Sequence, residues 1–171
     1  MEKISIRKYR NSDLKNRFNL FYNKEIIQNL NIELKIKDIS LKQQKKWIEE
    51  TIKSYKINRP KNYNLAITLN DEFIGGIGIN NPDYINKKVG IGYWIGQPYR
   101  GRGHAVIALK QFTNLLHKRF KFKRIEAITF SYNKASQKVL KKAGFKYEGE
   151  KKKSVKRGKE FLDEQIFALI K

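Results

Sequence analysis

Residues 92–105 join a strand-like run to an amphipathic helix through a turn rich in glycine and arginine. The run Gly92-Tyr-Trp-Ile-Gly96 precedes the turn, and Val106, Leu109 and Phe112 follow it with helical spacing. A helix N-terminus presents free backbone amides to an anion, and glycines let the chain approach that anion closely. The segment therefore predicts a phosphate-binding turn at the start of a helix.

Two common nucleotide motifs do not fit this turn. A dinucleotide-binding Rossmann turn needs a third glycine where this chain has Val106. A P-loop needs Lys-Ser or Lys-Thr after its last glycine, and this chain has His104-Ala105 there. The turn indicates a phosphate-bearing ligand, but not a hydrolysed nucleoside triphosphate.

The rest of the chain alternates between strand-like and helical patterns. We expect strands near residues 4–9, 63–69, 73–79, 88–96, 124–130, 145–155 and 160–170, and helices that begin near residues 14, 40, 103 and 133. The strand, helix and strand between residues 88 and 130 imply a parallel strand pair. Residues 23–39 have no clear assignment. The chain is thus expected to be one mixed α/β domain over residues 1–171.

Composition excludes several kinds of chemistry. The chain has no cysteine, so disulfides and thiolate nucleophiles are absent, and His104 and His117 lack metal-ligand spacing. We expect no metal ion. No apolar run is long enough to span a bilayer, and the N-terminus lacks the pattern of a secretory signal, so we expect a cytoplasmic protein with no membrane contact.

The charge balance is strongly basic. The chain carries 38 Lys and Arg against 16 Asp and Glu, which gives a formal net charge of +22. Such a field attracts nucleic acids and other polyanions. The lysines are spread along the chain, so a general compositional bias and a dedicated polyanion-binding face both remain open interpretations.

The turn Arg100-Gly-Arg-Gly-His-Ala105 resembles the Arg/Gln-x-x-Gly-x-Gly/Ala signature of the GNAT acetyltransferase superfamily. Tyr93-Trp-Ile-Gly96 is similar to the preceding strand of the branch that acetylates protein N-termini, ribosomal-protein N-acetyltransferases among them. Asn133-Lys-Ala-Ser136, Leu140 and Gly144-Phe145 resemble a helix motif of that branch, and residues 158–163 resemble its final hairpin. The resemblance covers about residues 89–170.

The resemblance implies a single-domain GNAT-like α/β fold with acetyl-CoA as co-substrate. Its central sheet is mixed and mostly antiparallel, with about four helices, and residues 89–96 and 124–130 would splay apart to admit the pantetheine arm. The implied acetyl-CoA contacts are Trp94, Ile95, Gly96, Arg100, Gly101, Arg102, Gly103, His104, Ala105 and Asn133. Asn133 is equally well placed to be an ordinary helix N-cap.

The resemblance also implies direct attack of an amine on the acetyl-CoA thioester. Ser136 is the expected catalytic donor to the departing sulfur, because Leu140 stands where many superfamily members have a tyrosine; the alternative is a small packed residue. Tyr93 is the second catalytic candidate, as a residue that orients water, although a strand tyrosine also suits a core.

The general base is the open position. Related enzymes often carry a glutamate where this chain has Gly90. Deprotonation through water, or by Asp163 or Glu148, remains open, and a positive field would lower the pKa of the incoming amine.

Residues 151–159 form a lysine-rich hairpin that borders the acceptor mouth in related folds. This charge disfavours a polyamine and favours acidic or RNA-associated acceptors, although a solvated hairpin is an equal alternative. We expect an acetyl-CoA-dependent N-acetyltransferase acting on a protein N-terminus such as that of a ribosomal protein, as a monomer or homodimer with possible ribosome or RNA association. The alternatives are a small-molecule amine acetyltransferase, or a basic nucleic-acid-binding module on a catalytically lapsed scaffold.

Overall fold

The computed structural model describes residues 2–30 and 39–171, which form one sheet with helices on both faces. The strands are β1 Ile4–Arg7, β2 Asn64–Leu69, β3 Glu72–Asp83, β4 Lys88–Ile95, β5 Arg124–Phe130, β6 Lys146–Arg157 and β7 Glu160–Ile170. The α-helices of the described ranges are α1 Leu14–Phe21, α2 Lys24–Asn29, α3 Leu41–Ser54, α4 His104–Phe120 and α5 Lys134–Lys142.

The sheet order is β1-β2-β3-β4-β5-β7-β6. Every neighbouring pair is antiparallel except β4 and β5, which are parallel and joined by the α4 crossover. This confirms the expected mixed α/β fold. A parallel pair needs such a crossover, because the chain must return to the same end of the sheet before the second strand starts.

The parallel strands pair over only part of their length. Pairing runs from Lys88 opposite Arg124 to Ile91 opposite Ala127, yet β4 continues to Ile95 and β5 to Phe130. Past Ile91 each strand stays bound to its outer neighbour: β4 continues its register with β3, and β5 continues its register with β7. The two strands therefore part while each keeps one ladder of hydrogen bonds, as the expected splayed pair requires.

The sheet separates two apolar layers. On one face, α4 and α5 pack against the sheet around the fully buried side chains of Leu109, Phe112, Leu116 and Leu140. On the other face, α1 and α3 cover β3 and the end of β4 around Tyr9, Ile48 and Phe73. Because side chains alternate along a strand, neighbouring residues of β4 and β5 serve opposite layers.

Two helix starts follow their sequence signals. Ser40 and Gln43 form a capping box at the start of α3, where a helix was expected to begin. Asn23 accepts hydrogen bonds from the amides of Glu25 and Ile26 and so caps α2, a short helix in the segment that had no assignment. Residues 31–38 of that segment lie outside the described residues. No helix in the described ranges is long and apolar enough to cross a membrane.

Candidate active site

The glycine-rich turn before α4 has an open, left-handed backbone. Gly101 has a φ of 79° and Gly103 a φ of 83°, and a Cβ at either position would meet no atom within 4 Å. Gly103 is the N-cap of α4, and no side chain caps the helix there. The first amides of α4, at His104 and Ala105, have no acceptor within the helix. Space and donors for an anion thus coincide at this turn.

The charged side chains of the turn differ in where they point. The Arg100 guanidinium turns back toward the sheet, since Nε donates to the Ile95 carbonyl at 2.9 Å and Nη1 lies 2.6 Å from Glu25 Oε1. Arg102 is more than half exposed, with Nη1 3.8 Å from Glu2 Oε1. Of the two arginines, Arg102 is the one that stays at the open surface.

His104 does not point into the open turn. Its side chain is 3% exposed, and neither ring nitrogen makes a hydrogen bond, although Nε2 lies 3.5 Å from Glu2 Oε2. What His104 presents at the turn is its backbone amide, as the first residue of α4. Ala105, the next residue, is half-buried.

Three expected contacts lie at the end of β4. The Trp94 side chain packs against Phe21 at 5.1 Å between ring centroids, and the Gly96 amide donates to the Ile74 carbonyl at 2.8 Å. Because peptide groups alternate along a strand, Trp94 and Gly96 face β3, whereas Tyr93 and Ile95 face the gap toward β5. Of the three residues, only Ile95 directs its backbone groups to the gap, a distinction between the two edges of the strand that the sequence did not make.

The side chains of Tyr93, on β4, and Ser136, on α5, are in contact. Tyr93 OH and Ser136 Oγ are 2.9 Å apart. Burial raises the pKa of Tyr93 to about 12, an effect that the hydrogen bond to Ser136 partly offsets. The phenol therefore remains neutral and able to donate at physiological pH.

Asn133 acts as the N-cap of α5, because its Oδ1 accepts from the Ser136 amide at 3.1 Å. This cap fixes the first turn of the helix and so places Ser136 opposite Tyr93. The cap uses only the oxygen of the Asn133 amide, which leaves the Nδ2 protons for another acceptor. Leu140 is fully buried one turn later, and the phenol beside Ser136 comes from β4 instead.

Two carboxylates considered as bases are held as anions elsewhere. A hydrogen bond from the Lys153 amide, at 2.7 Å, and one from the Lys152 ammonium, at 3.1 Å, lower the pKa of Asp163. A hydrogen bond from Arg124 lowers the pKa of Glu148. Both oxygens of each of these two carboxylates already accept a hydrogen bond, so the structure does not favour either of them as the base.

Asn80 lies where the carboxylate was expected, a residue that the sequence reading did not single out. It pairs with Gly90 across β3 and β4, and a Cβ at Gly90 would overlap Asn80 Oδ1. A side chain at residue 90 would therefore have to displace the Asn80 carboxamide. Only the strand register reveals this, because ten residues and a turn separate the two positions.

The lysine-rich hairpin of β6 and β7 reaches across to α2. Arg157 Nη1 donates to the Gln28 carbonyl at 2.7 Å, Nη2 donates to the Leu30 carbonyl, and the guanidinium lies 4.9 Å from the centre of the Phe130 ring. Tyr132 OH donates to the same Gln28 carbonyl at 2.9 Å. These contacts join the hairpin and α2 beside the end of β5, and so form a wall next to the parted strands.

The family described as Acetyltransferase (GNAT) domain matches residues 3–146 of this chain. The chain therefore belongs to the GNAT acetyltransferase family, whose co-substrate is acetyl-CoA. A probable N-acetyltransferase of Bacillus subtilis, YjcK, is 34% identical over 80 residues, which is 47% of this chain and 44% of that relative. The matches cover 44%, 61% and 41% of the first three curated relatives, so the chain spans roughly half of their length.

Solved structures share the fold at low sequence identity. The ribosomal L7/L12 α-N-protein acetyltransferase RimL with coenzyme A matches with a TM-score of 0.85 at 22% identity, over 98% of this chain and 93% of that chain. The ribosomal-protein-S5-alanine acetyltransferase of Vibrio fischeri has a TM-score of 0.85 at 22% identity, with 99% and 94% covered. The microcin C7 self-immunity acetyltransferase MccE, with acetyl-CoA and AMP, has a TM-score of 0.84 at 20% identity, with 98% and 93% covered.

Proposed function

We propose that this protein transfers the acetyl group of acetyl-CoA to a primary amine at a protein N-terminus, by direct attack within a ternary complex. The observation that carries the proposal is the parting of β4 and β5 past Ile91 and Ala127, beside the pair formed by Tyr93 and Ser136. The pantetheine arm would lie between the parted strands, and the two hydroxyls would lie near the departing sulfur. A ribosomal protein is the acceptor that we favour.

The turn before α4 is the proposed site for the pyrophosphate of acetyl-CoA. The amides of Gly101, Gly103, His104 and Ala105 and the helix dipole would hold the anion. Arg102 would exchange its long contact with Glu2 for a phosphate oxygen. Arg100 would position the turn without binding the phosphate itself, because its guanidinium donates a hydrogen bond to the Ile95 carbonyl at the end of β4.

The edge of β4 that faces the gap is the proposed site for the pantetheine arm and the thioester. The backbone groups of Tyr93 and Ile95 face the gap, so the Ile95 amide is the proposed donor to the thioester oxygen. Asn133 Nδ2 is the proposed contact from α5. Tyr93 OH would donate a proton toward the departing sulfur, relayed or oriented by Ser136 Oγ.

The acceptor would approach over the sheet face opposite α4 and α5. There Gly92 is exposed and Ile128 is 40% exposed, beside the wall made by α2 and the hairpin. The hairpin carries Lys151, Lys153 and Lys159 at its exposed surface, which repels a polyamine. The likeness to structures named as ribosomal-protein acetyltransferases supports the same acceptor class.

The test is transfer of labelled acetyl from acetyl-CoA to ribosomal proteins and total lysate proteins, with modified N-terminal peptides identified by mass spectrometry. We expect label on α-amines. Label only on small amines would support the small-molecule alternative, and RNA binding without any transfer would support the lapsed-scaffold alternative.

Gly103→Val provides the matched loss of function, and Gly158→Val provides its control. Both glycines have positive φ and open surroundings, at 83° and 60°, but only Gly103 lies in the turn before α4. The strain of a β-branched residue is therefore similar at the two sites. We expect weak coenzyme A binding only in Gly103→Val; equal binding in both variants would contradict the assigned cradle.

A further inference from the structure

Position 90 of β4 faces the proposed acceptor side of the sheet. Val89 and Ile91 are buried in the layer that includes α4, so Gly90 between them faces the opposite layer. A side chain at Gly90 would overlap Asn80 Oδ1 unless that carboxamide moved. The Asn80 amide also reaches toward Gly92, since a Cβ there would lie 3.9 Å from Asn80 Nδ2. An exposed carboxamide therefore covers both glycines.

A carboxylate lies on the other side of Gly90 from this carboxamide. Glu126 pairs with Gly90 across the parallel strands, next to Ile91 and Ala127, the last pair before the strands part. Ile125 and Ala127 are buried in the α4 layer, so Glu126 faces the same side as Gly90 and Asn80. Neighbouring strands lie about 4.8 Å apart, which brings the Glu126 side chain within reach of the start of the gap.

The proton donors and this carboxylate lie on opposite faces of the sheet. The Tyr93 side chain packs toward the layer that holds α4 and α5, where it meets Ser136. Glu126 and Asn80 lie on the open face, so a thioester held in the gap would have its leaving group on one side and its attacking amine on the other. This separation suits a displacement at the carbonyl carbon, because the two partners do not compete for space.

We propose that Glu126, with Asn80, replaces the carboxylate absent from position 90, with Glu126 as the general base acting through one water and Asn80 Oδ1 as the acceptor that orients the amine. The assignment rests on the proposed function. It names groups on β5 and β3 for a task that related enzymes give to β4.

Glu126 takes one proton from the substrate ammonium through water and becomes a carboxylic acid, which leaves a neutral amine. The amine nitrogen forms a bond to the thioester carbonyl carbon, and the carbon–sulfur bond then breaks. Tyr93, oriented by Ser136, donates the proton that neutralises the departing thiolate and then regains a proton from solvent, while the second nitrogen proton passes to solvent on the acceptor side. The products are the amide, the coenzyme A thiol and one proton, which Glu126 releases to solvent.

Three charged residues, Arg124, Glu148 and Lys88, lie near Glu126. Arg124 Nε, on the same strand, donates to Glu126 Oε1 at 2.5 Å, and the same guanidinium pairs with Glu148 on β6. Lys88 on β4 is the strand partner of Arg124. Arg124 binds one oxygen of Glu126, and Oε2 accepts no hydrogen bond from the described residues.

The test compares Glu126→Gln with Glu148→Gln, using acetyl-CoA and a synthetic peptide that begins with alanine. Both carboxylates pair with Arg124, but only Glu126 lies beside the gap. We expect Glu126→Gln to lower kcat/KM about 100-fold at pH 7 and Glu148→Gln to have little effect. The loss of kcat/KM in Glu126→Gln should become smaller above about pH 9. A free α-amine has a pKa of about 7.7–8.0, so at that pH it is already neutral and needs no base.

A second pair tests Asn80. Asn64 covers Gly78 on the neighbouring strand pair as Asn80 covers Gly90, so Asn64→Ala is the matched control for Asn80→Ala. We expect Asn80→Ala to raise the KM for the peptide about tenfold and Asn64→Ala to leave it unchanged. A third variant, Asn80→Gly with Gly90→Glu in the Glu126→Gln background, should recover part of the lost rate by restoring a carboxylate on β4.

Slow hydrolysis of acetyl-CoA, with water as the acceptor, separates this inference from the proposed function. If the wild type hydrolyses acetyl-CoA but acetylates no peptide, the acceptor class is wrong, and a loss of hydrolysis in Glu126→Gln still supports the base. Wild-type rates in Glu126→Gln, or equal losses in Glu126→Gln and Glu148→Gln, would overturn the inference. If the wild type shows no transfer and no hydrolysis, both proposals are overturned.

Discussion

Single residues at this site carry tasks that depend on their partners. Tyr93 and Ser136 lie 43 residues apart in the chain, and their hydroxyls are 2.9 Å apart because Asn133 fixes the first turn of α5. The sequence pointed to both residues separately. It gave Tyr93 a task on the amine side, whereas the structure places its hydroxyl beside Ser136, the residue proposed to serve the leaving group.

Tyr93→Phe tests the phenol as the proton donor. We expect kcat to fall about 100-fold while coenzyme A binding is unchanged, since only the hydroxyl is lost. Because burial raises the pKa of Tyr93 to about 12, the wild-type donor stays protonated, and kcat should show no loss from this group between pH 7 and about 10. Tyr84→Phe, which removes a hydroxyl that donates to the Pro60 carbonyl at 2.8 Å, is the control. An unchanged kcat in Tyr93→Phe would exclude the role.

Asn133 has two roles that substitution can separate. Serine keeps the helix cap and removes the Nδ2 donor, whereas alanine removes both. We expect Asn133→Ala to cost about 1 kcal/mol of unfolding free energy and Asn133→Ser much less. Both variants should weaken coenzyme A about tenfold in calorimetry. Full affinity in Asn133→Ser would mean that Asn133 is a cap alone.

Turns and element ends follow the sequence where particular residues favour the backbone conformation that is needed. The turn between β2 and β3 lies at Asn70 and Asp71, with φ of 50° and 70°, as the Asn-Asp pair predicts. The end of α1 has no such signal. The helix ends at Phe21, and the next residue, Tyr22, has a non-helical ψ of 65° and a side chain that is 48% exposed. Periodicity describes a helix interior but does not show where the helix ends.

Arg157 provides a test of the contact between the hairpin and α2. Arg157→Ala removes the bonds to the Gln28 and Leu30 carbonyls, so the wall beside the parted strands should loosen. We expect the KM for the peptide to rise several-fold and coenzyme A binding to stay the same. Lys156→Ala, which removes a neighbouring charge whose ammonium lies over the Phe161 ring, is the control. Equal effects of the two variants would show that charge, not the link, matters.

The charge of the whole molecule bears on its substrates. A net charge of +22 should raise the association rate of anionic ligands at low salt, and this effect is screened over about 8 Å at physiological ionic strength. Peptides with acidic residues after the N-terminal residue should therefore have a lower KM than neutral ones. The difference should vanish by about 0.5 M salt, measured by thiol release. A salt-independent preference would point to specific contacts instead of the general field.

The sequence by itself determined most of the elements and the glycine-rich turn before α4. Left-handed glycines at residues 101 and 103, the helix start after them and the crossover to β5 are local features, so short-range patterns predict them. The register of strands distant in sequence decided the rest. It placed Asn80 over Gly90 and Glu126 beside it, and it parted β4 from β5. No local pattern contains that register, because it depends on how the whole sheet divides its hydrogen bonds between neighbours.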